Sequence, residues 1–399
     1  MSSKPARPRF PIRVRLIVVL GLVDALGPVS IDLYVPAFPE LQRDFGLTDL
    51  GVQLTLASMT AGFALGQAVV GTWSDRVGRR RPLLLATGLY IAGAITCTTA
   101  PSIEALLVGR VAQGIGAAGG AVLVLAIVRD LTENDRFVTL LSRVVLITTT
   151  TPLLAPVTGA LLLPLIGWRG LFVLLTLTGI GLLFAVATTV PETLVPSSRP
   201  PAYRLRAVLS DRQFGAATVI GACTYASVYT YVAASPLLLR TVLGLNPPQF
   251  AAVFLVATVA LIGGVQAGAA LVKRVGARPV LLAATSLALI VAIALVPAQR
   301  LGIDGVAPCL WAFAAACGAC FPAAASTALE NQADQAGTAT SVYGFTTFAF
   351  AATVSPMPGL FGITGTPPLA IVLAATAGTA LLVSALALRQ AESKSPVES

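Results

Sequence analysis

Gly71-Thr72-Trp73-Ser74-Asp75-Arg76-Val77-Gly78-Arg79-Arg80-Arg81 is a dense polar island in an otherwise apolar part of the chain. The apolar runs on either side, residues 52–73 and 82–100, are each long enough to cross a hydrocarbon core of about 30 Å at about 1.5 Å per helical residue. The same punctuation returns 198 residues later, where Lys273-Arg274-Val275-Gly276-Ala277-Arg278 stands in the place of residues 75–80. That offset is close to half of the 399-residue length. A short basic hinge between two apolar runs, repeated at half length, predicts a unit of membrane helices duplicated in the same orientation. This is the parallel-repeat plan, in which two bundles face each other across a central cavity.

Working outward on the same ruler gives twelve spans, near residues 14–38, 52–73, 82–100, 104–127, 139–164, 169–190, 213–238, 249–270, 279–297, 304–328, 336–360 and 367–388. The expected fold is therefore an all-α membrane protein of twelve transmembrane helices in two six-helix bundles. The longest polar connection, residues 191–212, contains Pro196-Ser197-Ser198-Arg199-Pro200-Pro201 and reads as a linker. It divides the chain into bundles 1–190 and 213–399.

Composition agrees with this reading. Hydrophobic residues make up 56% and charged residues 11%, against about 25% charged in an ordinary soluble domain. The net charge of +9 does not point to nucleic acid, because the cations lie in short clusters between apolar runs. Lys4, Arg7, Arg9, Arg13 and Arg15 precede the first run like the basic region of a leader. The run itself is too long and too acidic for one, so it is expected to stay as the first membrane helix.

With the N-terminus inside, 21 of the 26 Lys and Arg residues fall on the inner side, and only Arg43, Arg169, Arg240 and Arg300 on the outer. The positive-inside rule then places both termini in the cytoplasm of a multi-pass inner-membrane protein.

Three charged residues lie inside apolar spans, where each must face a cavity or find a partner: Asp24, Asp32 and Arg110. Asp32 and Arg110 sit at matching depth and are expected to pair. Asp24, eight residues earlier and near the midplane, has no evident partner and is the expected main proton-exchanging group. The chain has no histidine, so proton traffic near neutral pH must use carboxylates.

Pro28 and Pro36 in the first span and Pro152, Pro156 and Pro164 in the fifth mark bends. Gly114, Gly116, Gly119 and Gly120 give the fourth span a smooth packing face. The aromatic residues Tyr225, Tyr229 and Tyr231, with Tyr343, Phe345 and Phe348, are candidates to line a cavity for ring-bearing compounds.

Other motifs carry no chemistry. Gly114-Ile115-Gly116-Ala117-Ala118-Gly119 has the spacing of a phosphate loop but lacks the preceding strand and lies in mid-membrane. Cys317-Gly318-Ala319-Cys320 lies in an apolar helix, and all five cysteines read as packing residues. With neither a Walker sequence nor a nucleophile constellation, an enzyme is not expected.

These residues resemble the major facilitator superfamily, and within it the drug:proton antiporters of the bicyclomycin and chloramphenicol resistance group. The resemblance rests on the loop at residues 71–81, on Arg110-Val111-Ala112-Gln113-Gly114 in the fourth span, and on Ile31-Asp32-Leu33-Tyr34-Val35-Pro36. Trp168-Arg169, Pro191-Glu192-Thr193 and the incomplete Ala155-Pro156-Val157-Thr158-Gly159 add to it. It implies gating by Gly71, Asp75, Arg79 and Pro156, and proton coupling through Asp24, Asp32 and Arg110. It also implies substrate contacts at Asp24, Asp32, Arg110, Gln113, Tyr225, Tyr229 and Phe345.

The acidic pair is similar to that of chloramphenicol and florfenicol exporters. Expected partners are a small drug, protons and the lipid bilayer, with no nucleic acid. A monomer driven by the proton gradient, without a bound cofactor, is expected. Export of an endogenous metabolite or siderophore, or proton-coupled nutrient import, would use the same fold.

Overall fold

The structure is a computed structural model that describes residues 14–131, 135–194, 205–332 and 335–386. Residues 196–201 of the expected linker, Arg204, and the cations at 4–13, 389 and 394 lie outside the described residues. Every regular element within them is helical: α1 Val14–Asp32, α2 Phe38–Phe45, α3 Asp49–Val77, α4 Arg80–Thr99, α5 Ile103–Leu131, α6 Asp135–Thr189 and α7 Leu205–Ser210. The second set comprises α8 Arg212–Pro236, α9 Pro247–Val275, α10 Ala277–Ala298, α11 Ile303–Leu329, α12 Ala336–Val354, α13 Met357–Leu360 and α14 Pro367–Leu386.

Nine helices among the described residues are long and apolar enough to cross a membrane. One of them holds two crossings, because α6 folds back at Gly167, whose φ of 64° and ψ of 178° break the helix. The remaining two of the twelve are α8 and α12. Their Thr, Ser, Tyr and Gln residues lower their hydropathy, and α8 is buried along most of its length. A helix walled by protein does not need a lipid-facing stripe, which is why apolarity alone under-reads these two.

The repeat seen in the sequence is carried into the backbone. Helices α3 and α9 are both 29 residues long and keep the same 198-residue offset at both ends. Each stops at a glycine with positive φ, Gly78 at 102° and Gly276 at 86°, a region that residues bearing a Cβ rarely adopt. At Gly78 a Cβ would also collide with the Glu192 carboxylate.

Helices α1 and α3–α6 pack mainly among themselves, as do α8–α12 and α14, and the two sets meet where α3 touches α12 and where α6 touches α9. Within the first set the small face of α5 lets backbones approach closely, with Gly114 against Met59 and Gly116 against Ala86. All five cysteines are free, and Cys97, Cys223, Cys317 and Cys320 are buried as packing residues.

Some boundaries differ from the sequence reading. The first span ends at Asp32 rather than 38; a turn and a 3-10 segment, Val35–Ala37, then lead into α2. Pro36 supplies the reason, since it lacks an N–H and disfavours helix in the residue before it. Pro28, by contrast, is accommodated within α1. The eleventh span is split into α12 and α13. After Pro236 the chain takes a π-helical turn, Leu237–Val242, that swings Arg240 toward α2.

Candidate functional site

Arg110 is fully buried, with 0% exposure. Its Nε donates to the Thr55 carbonyl at 3.3 Å, and Nη1 donates to the Ser30 carbonyl at 3.2 Å and to Gln113 Oε1 at 2.6 Å. The guanidinium lies 4.2 Å from the Tyr34 ring centroid and 5.6 Å from that of Phe172. Hydroxyl pairs close the surroundings: Ser30 with Tyr90 at 2.6 Å, and Tyr34 with Thr55 at 2.7 Å. Carbonyl dipoles and ring faces thus replace water around the charge. Nη2 of Arg110 and Nε2 of Gln113 have no hydrogen-bond partner among the described residues.

The expected ion pair between Asp32 and Arg110 is not formed. The depth argument holds, because Arg110 bonds to the carbonyl of Ser30, only two residues from Asp32. The azimuth differs: two residues turn a helix by about 200°, so the Asp32 side chain leaves α1 on roughly the opposite side.

Asp32 lines a cavity of about 220 Å³ between α1 and the second set of helices, together with Tyr229, Tyr231, Phe254, Thr258 and Phe313. Its carboxylate has no hydrogen bond or ion pair among the described residues. Asp24 does have a partner, contrary to the sequence reading: Thr148 Oγ1 of α6 donates to its Oδ2 at 2.8 Å. Asp24, Arg110 and Gln113 do not line the Asp32 cavity.

Tyr225 and Tyr229 gather around Phe348, with ring centroids 5.1 and 5.9 Å away. Phe63 of α3 meets the same ring at 4.7 Å, so the cluster joins the two helix sets. The sequence reading has both Phe345 and Phe348 as cavity candidates and Phe345 as the substrate contact; the Phe345 side chain is exposed and outside the cluster. Three residues of helix separate the two phenylalanines, and only contact with α8 decides between them.

At the end of the molecule that carries residues 78–81, Arg79 Nη1 donates to Asp75 Oδ1 at 2.6 Å and to Ser74 Oγ at 2.8 Å, while Nε donates to Asp130 Oδ2 at 3.0 Å. Burial acts to lower the Arg79 pKa, but bonding to Asp75 and Asp130 outweighs it and holds the guanidinium above its ordinary value. Glu192 Oε1 accepts from the backbone N–H of Arg79 at 2.8 Å and of Thr193 and Leu194 at 3.0 Å; Oε2 accepts from Arg80 at 3.2 Å. Partial burial raises the Glu192 pKa, and these backbone donors overcome that and hold it below the usual carboxylate range.

Asp130 and Glu192 were not singled out as partners of Arg79. Asp130 closes α5 and Glu192 follows α6, and only the bundle brings them to the loop. Of the other expected gating residues, Gly71 faces Val122 of α5 and Ser341 of α12 across an ordinary contact distance. Pro156 is buried in α6, three residues before Gly159, where a Cβ would collide with the Leu33 carbonyl.

At the opposite end, Arg240 is paired bidentately with Glu40, Nη1 to Oε2 and Nη2 to Oε1, both at 2.9 Å, and also donates to the Pro36 carbonyl. Buried Gln53 donates to the Ala233 carbonyl at 3.4 Å and accepts from Gly359 N–H at 2.9 Å. Asp49 Oδ2 accepts from Ile363 N–H at 2.6 Å. Among pairs of described residues, the side-chain hydrogen bonds joining the two helix sets all lie at this end. The sequence offered no signal for them beyond the sparse outer cations.

Comparison with known proteins fits this geometry. The model of the Major Facilitator Superfamily matches residues 20–356. The chain is 30% identical over 370 residues to an MFS-type transporter of Bacillus subtilis (YdgK), covering 89% of this chain and 91% of that one. It is 27% identical over 389 residues to the bicyclomycin resistance protein homolog of Haemophilus influenzae, covering 93% and 94%. It is also 30% identical to the multidrug resistance protein MdtL of Salmonella typhi, over 60% of each chain. Among solved structures, a bacterial homolog of the human lysosomal transporter Spinster, inward-facing and occupied, superposes with a TM-score of 0.78 at 18% identity, covering 96% and 98% of the two chains.

Proposed function

The chain belongs to the major facilitator superfamily, and from that premise we propose that it is a proton-coupled antiporter exporting small antibacterial compounds across the inner membrane. The observation that carries this reading is Asp32, a carboxylate without a protein partner among the described residues, in a cavity between the two helix sets. An intramembrane carboxylate is expensive to keep unless it exchanges a proton or meets a ligand. The names of the bicyclomycin resistance and MdtL multidrug resistance relatives support antibacterial compounds as the substrate class.

In this reading the bundles 1–190 and 213–399, joined by 191–212, rock about Asp32. The positive-inside asymmetry puts the Arg79 loop in the cytoplasm, so the Glu40–Arg240 contact closes the outer face. Substrate binds ionised Asp32 from inside, and after the bundles rock a proton from outside neutralises the carboxylate and releases it. The two ligands compete for one group, so coupling requires no contact between them. Arg110 positions the α1 backbone beside Asp32, and Asp24 with Thr148 forms a second acidic station deeper in α1. No bound cofactor is needed; the proton gradient drives transport in a monomer.

The test is a drug panel in cells expressing the protein. Chloramphenicol, florfenicol or other antibacterials should become less toxic with the wild type and not with Asp32→Asn at equal expression. Unchanged susceptibility across the panel with well-expressed wild type would refute drug export.

A further inference from the structure

At the end of the molecule that carries residues 78–81, two arginines converge on the last turn of α6, and neither meets a carboxylate there. Arg80 Nη2 donates to the Ala187 carbonyl at 2.6 Å, and Arg15 Nη2 donates to the hydroxyl of the next residue, Thr188 Oγ1, at 3.3 Å. The carboxylates bonded around this loop are engaged elsewhere. Asp75 and Asp130 hold the Arg79 guanidinium, and Glu192 accepts from backbone N–H groups, that of Arg80 among them. Among the described residues neither Arg15 nor Arg80 forms an ion pair, and Nη1 of each donates to nothing.

A helix C-terminus carries about half a unit of negative charge, so two guanidinium groups on one such end leave a positive surplus. What they lack is an anion with several acceptor oxygens that both can reach, which is the fit arginine makes with a phosphate. The surroundings say which phosphate. Val18 and Leu22 follow Arg15 at i+3 and i+7 on α1, while Ile180 and Phe184 precede Thr188 at i−8 and i−4 on α6, and all four are exposed. Each set runs along one helix face, and the two faces meet at the Arg15–Thr188 bond. A soluble phosphate has no use for such stripes, whereas the acyl chains of a phospholipid lie along them. A zwitterionic headgroup would also bring an ammonium against two arginines, and an anionic one would not.

We propose that the ends of α1, α4 and α6 form a binding site for an anionic phospholipid, in which Arg15 and Arg80 hold the phosphate beside Thr188 and the acyl chains follow the Val18–Leu22 and Ile180–Phe184 stripes.

Native mass spectrometry of the purified full-length protein tests this, with equal amounts of dioleoyl phosphatidylglycerol and dioleoyl phosphatidylethanolamine added in detergent. An arginine near an anionic lipid contributes about fivefold in affinity, so the wild type should take phosphatidylglycerol as its first bound lipid with a preference of about tenfold or more. Arg15→Gln and Arg80→Gln should each lower that preference about fivefold, and the double variant should show none. Arg300→Gln, which removes one exposed positive charge outside the site, should keep it. Size-exclusion and thermal-unfolding profiles like those of the wild type establish that the variants are folded. Arg15 is exposed, so Arg15→Gln decides the matter even where Arg80→Gln fails to fold.

Equal binding of the two lipids by the wild type, a preference surviving in Arg15→Gln at full strength, or an equal loss in Arg300→Gln would overturn the site. Glycerophosphoglycerol, the same headgroup without acyl chains, should not displace the bound lipid at equal concentration. Displacement by it would overturn the lipid in favour of a soluble phosphate.

Discussion

Glu40 of α2 and Arg240, on the π-turn after α8, face each other as a two-bond carboxylate–guanidinium pair, 2.9 Å at each contact, although 200 residues separate them. Neither side chain is well exposed, and Arg240 also reaches the Pro36 carbonyl where the first span breaks. A sequence kink in each helix set, Pro36 in one and Pro236 in the other, thereby places the two halves of one latch.

If this pair holds the two helix sets together, removing either member should cost nearly as much as removing both. Charge-assisted hydrogen bonds of this kind contribute about 1.5–3 kcal/mol, so a double-mutant cycle with Glu40→Ala and Arg240→Ala should show coupling of about 1–2 kcal/mol in unfolding free energy. Additive single effects in detergent-solubilised protein would show that the pair carries nothing.

Arg110 is bonded to groups it cannot leave unpaired. Arg110→Ala leaves Gln113 Oε1 without its donor in the interior and removes the cation from the Tyr34 ring, a loss of about 1–3 kcal/mol in stability. Arg110→Lys should recover only part of it, because a point charge cannot span these acceptors while lying flat on Tyr34. Thermal unfolding measures both. A pure proton-relay role would leave the melting temperature of either variant at the wild-type value.

Depth and periodicity made much of this fold readable from residue order. The twelve spans, the 198-residue repeat and the placing of Asp32 and Arg110 within membrane helices follow from where charge interrupts apolar runs. Which way a side chain leaves its helix does not. Asp32 and Ser30 share a level but not an azimuth, and Phe345 and Phe348 compete for one role that only packing against Tyr225 awards. The partners of Arg79 are hidden for another reason, since Asp130 and Glu192 come from the ends of other helices. Thr148 likewise reaches Asp24 from 124 residues away.

The backbone donors gathered on Glu192 give a pH prediction with a definite sign. The folded protein holds the Glu192 pKa below its unfolded value, about 4.3 for a free glutamate, so its stabilising contribution is present above that value and disappears as pH falls through the folded pKa. The melting-temperature gap between wild type and Glu192→Gln should be level from about pH 8 to 5 and close below about pH 4. Because the carboxylate is exposed, the gap should be small. A gap that widens toward acid would reverse the assignment.

Gly159 is required by the Leu33 carbonyl packed against it. Gly159→Ala should push α6 from the broken end of α1 and destabilise by about 1–3 kcal/mol. Gly181, with nothing within 4 Å of its added Cβ, should tolerate the same change. Equal melting temperatures for the two variants would refute the close contact.

The central claim is that substrate and proton share Asp32. The most direct measurement is proton release from purified protein in weak buffer, followed with a pH-sensitive dye, on adding the compound whose toxicity the protein lowers most. Wild type and Asp24→Asn should release protons as substrate binds, and Asp32→Asn should release none while remaining folded. Undiminished release from Asp32→Asn would contradict the account.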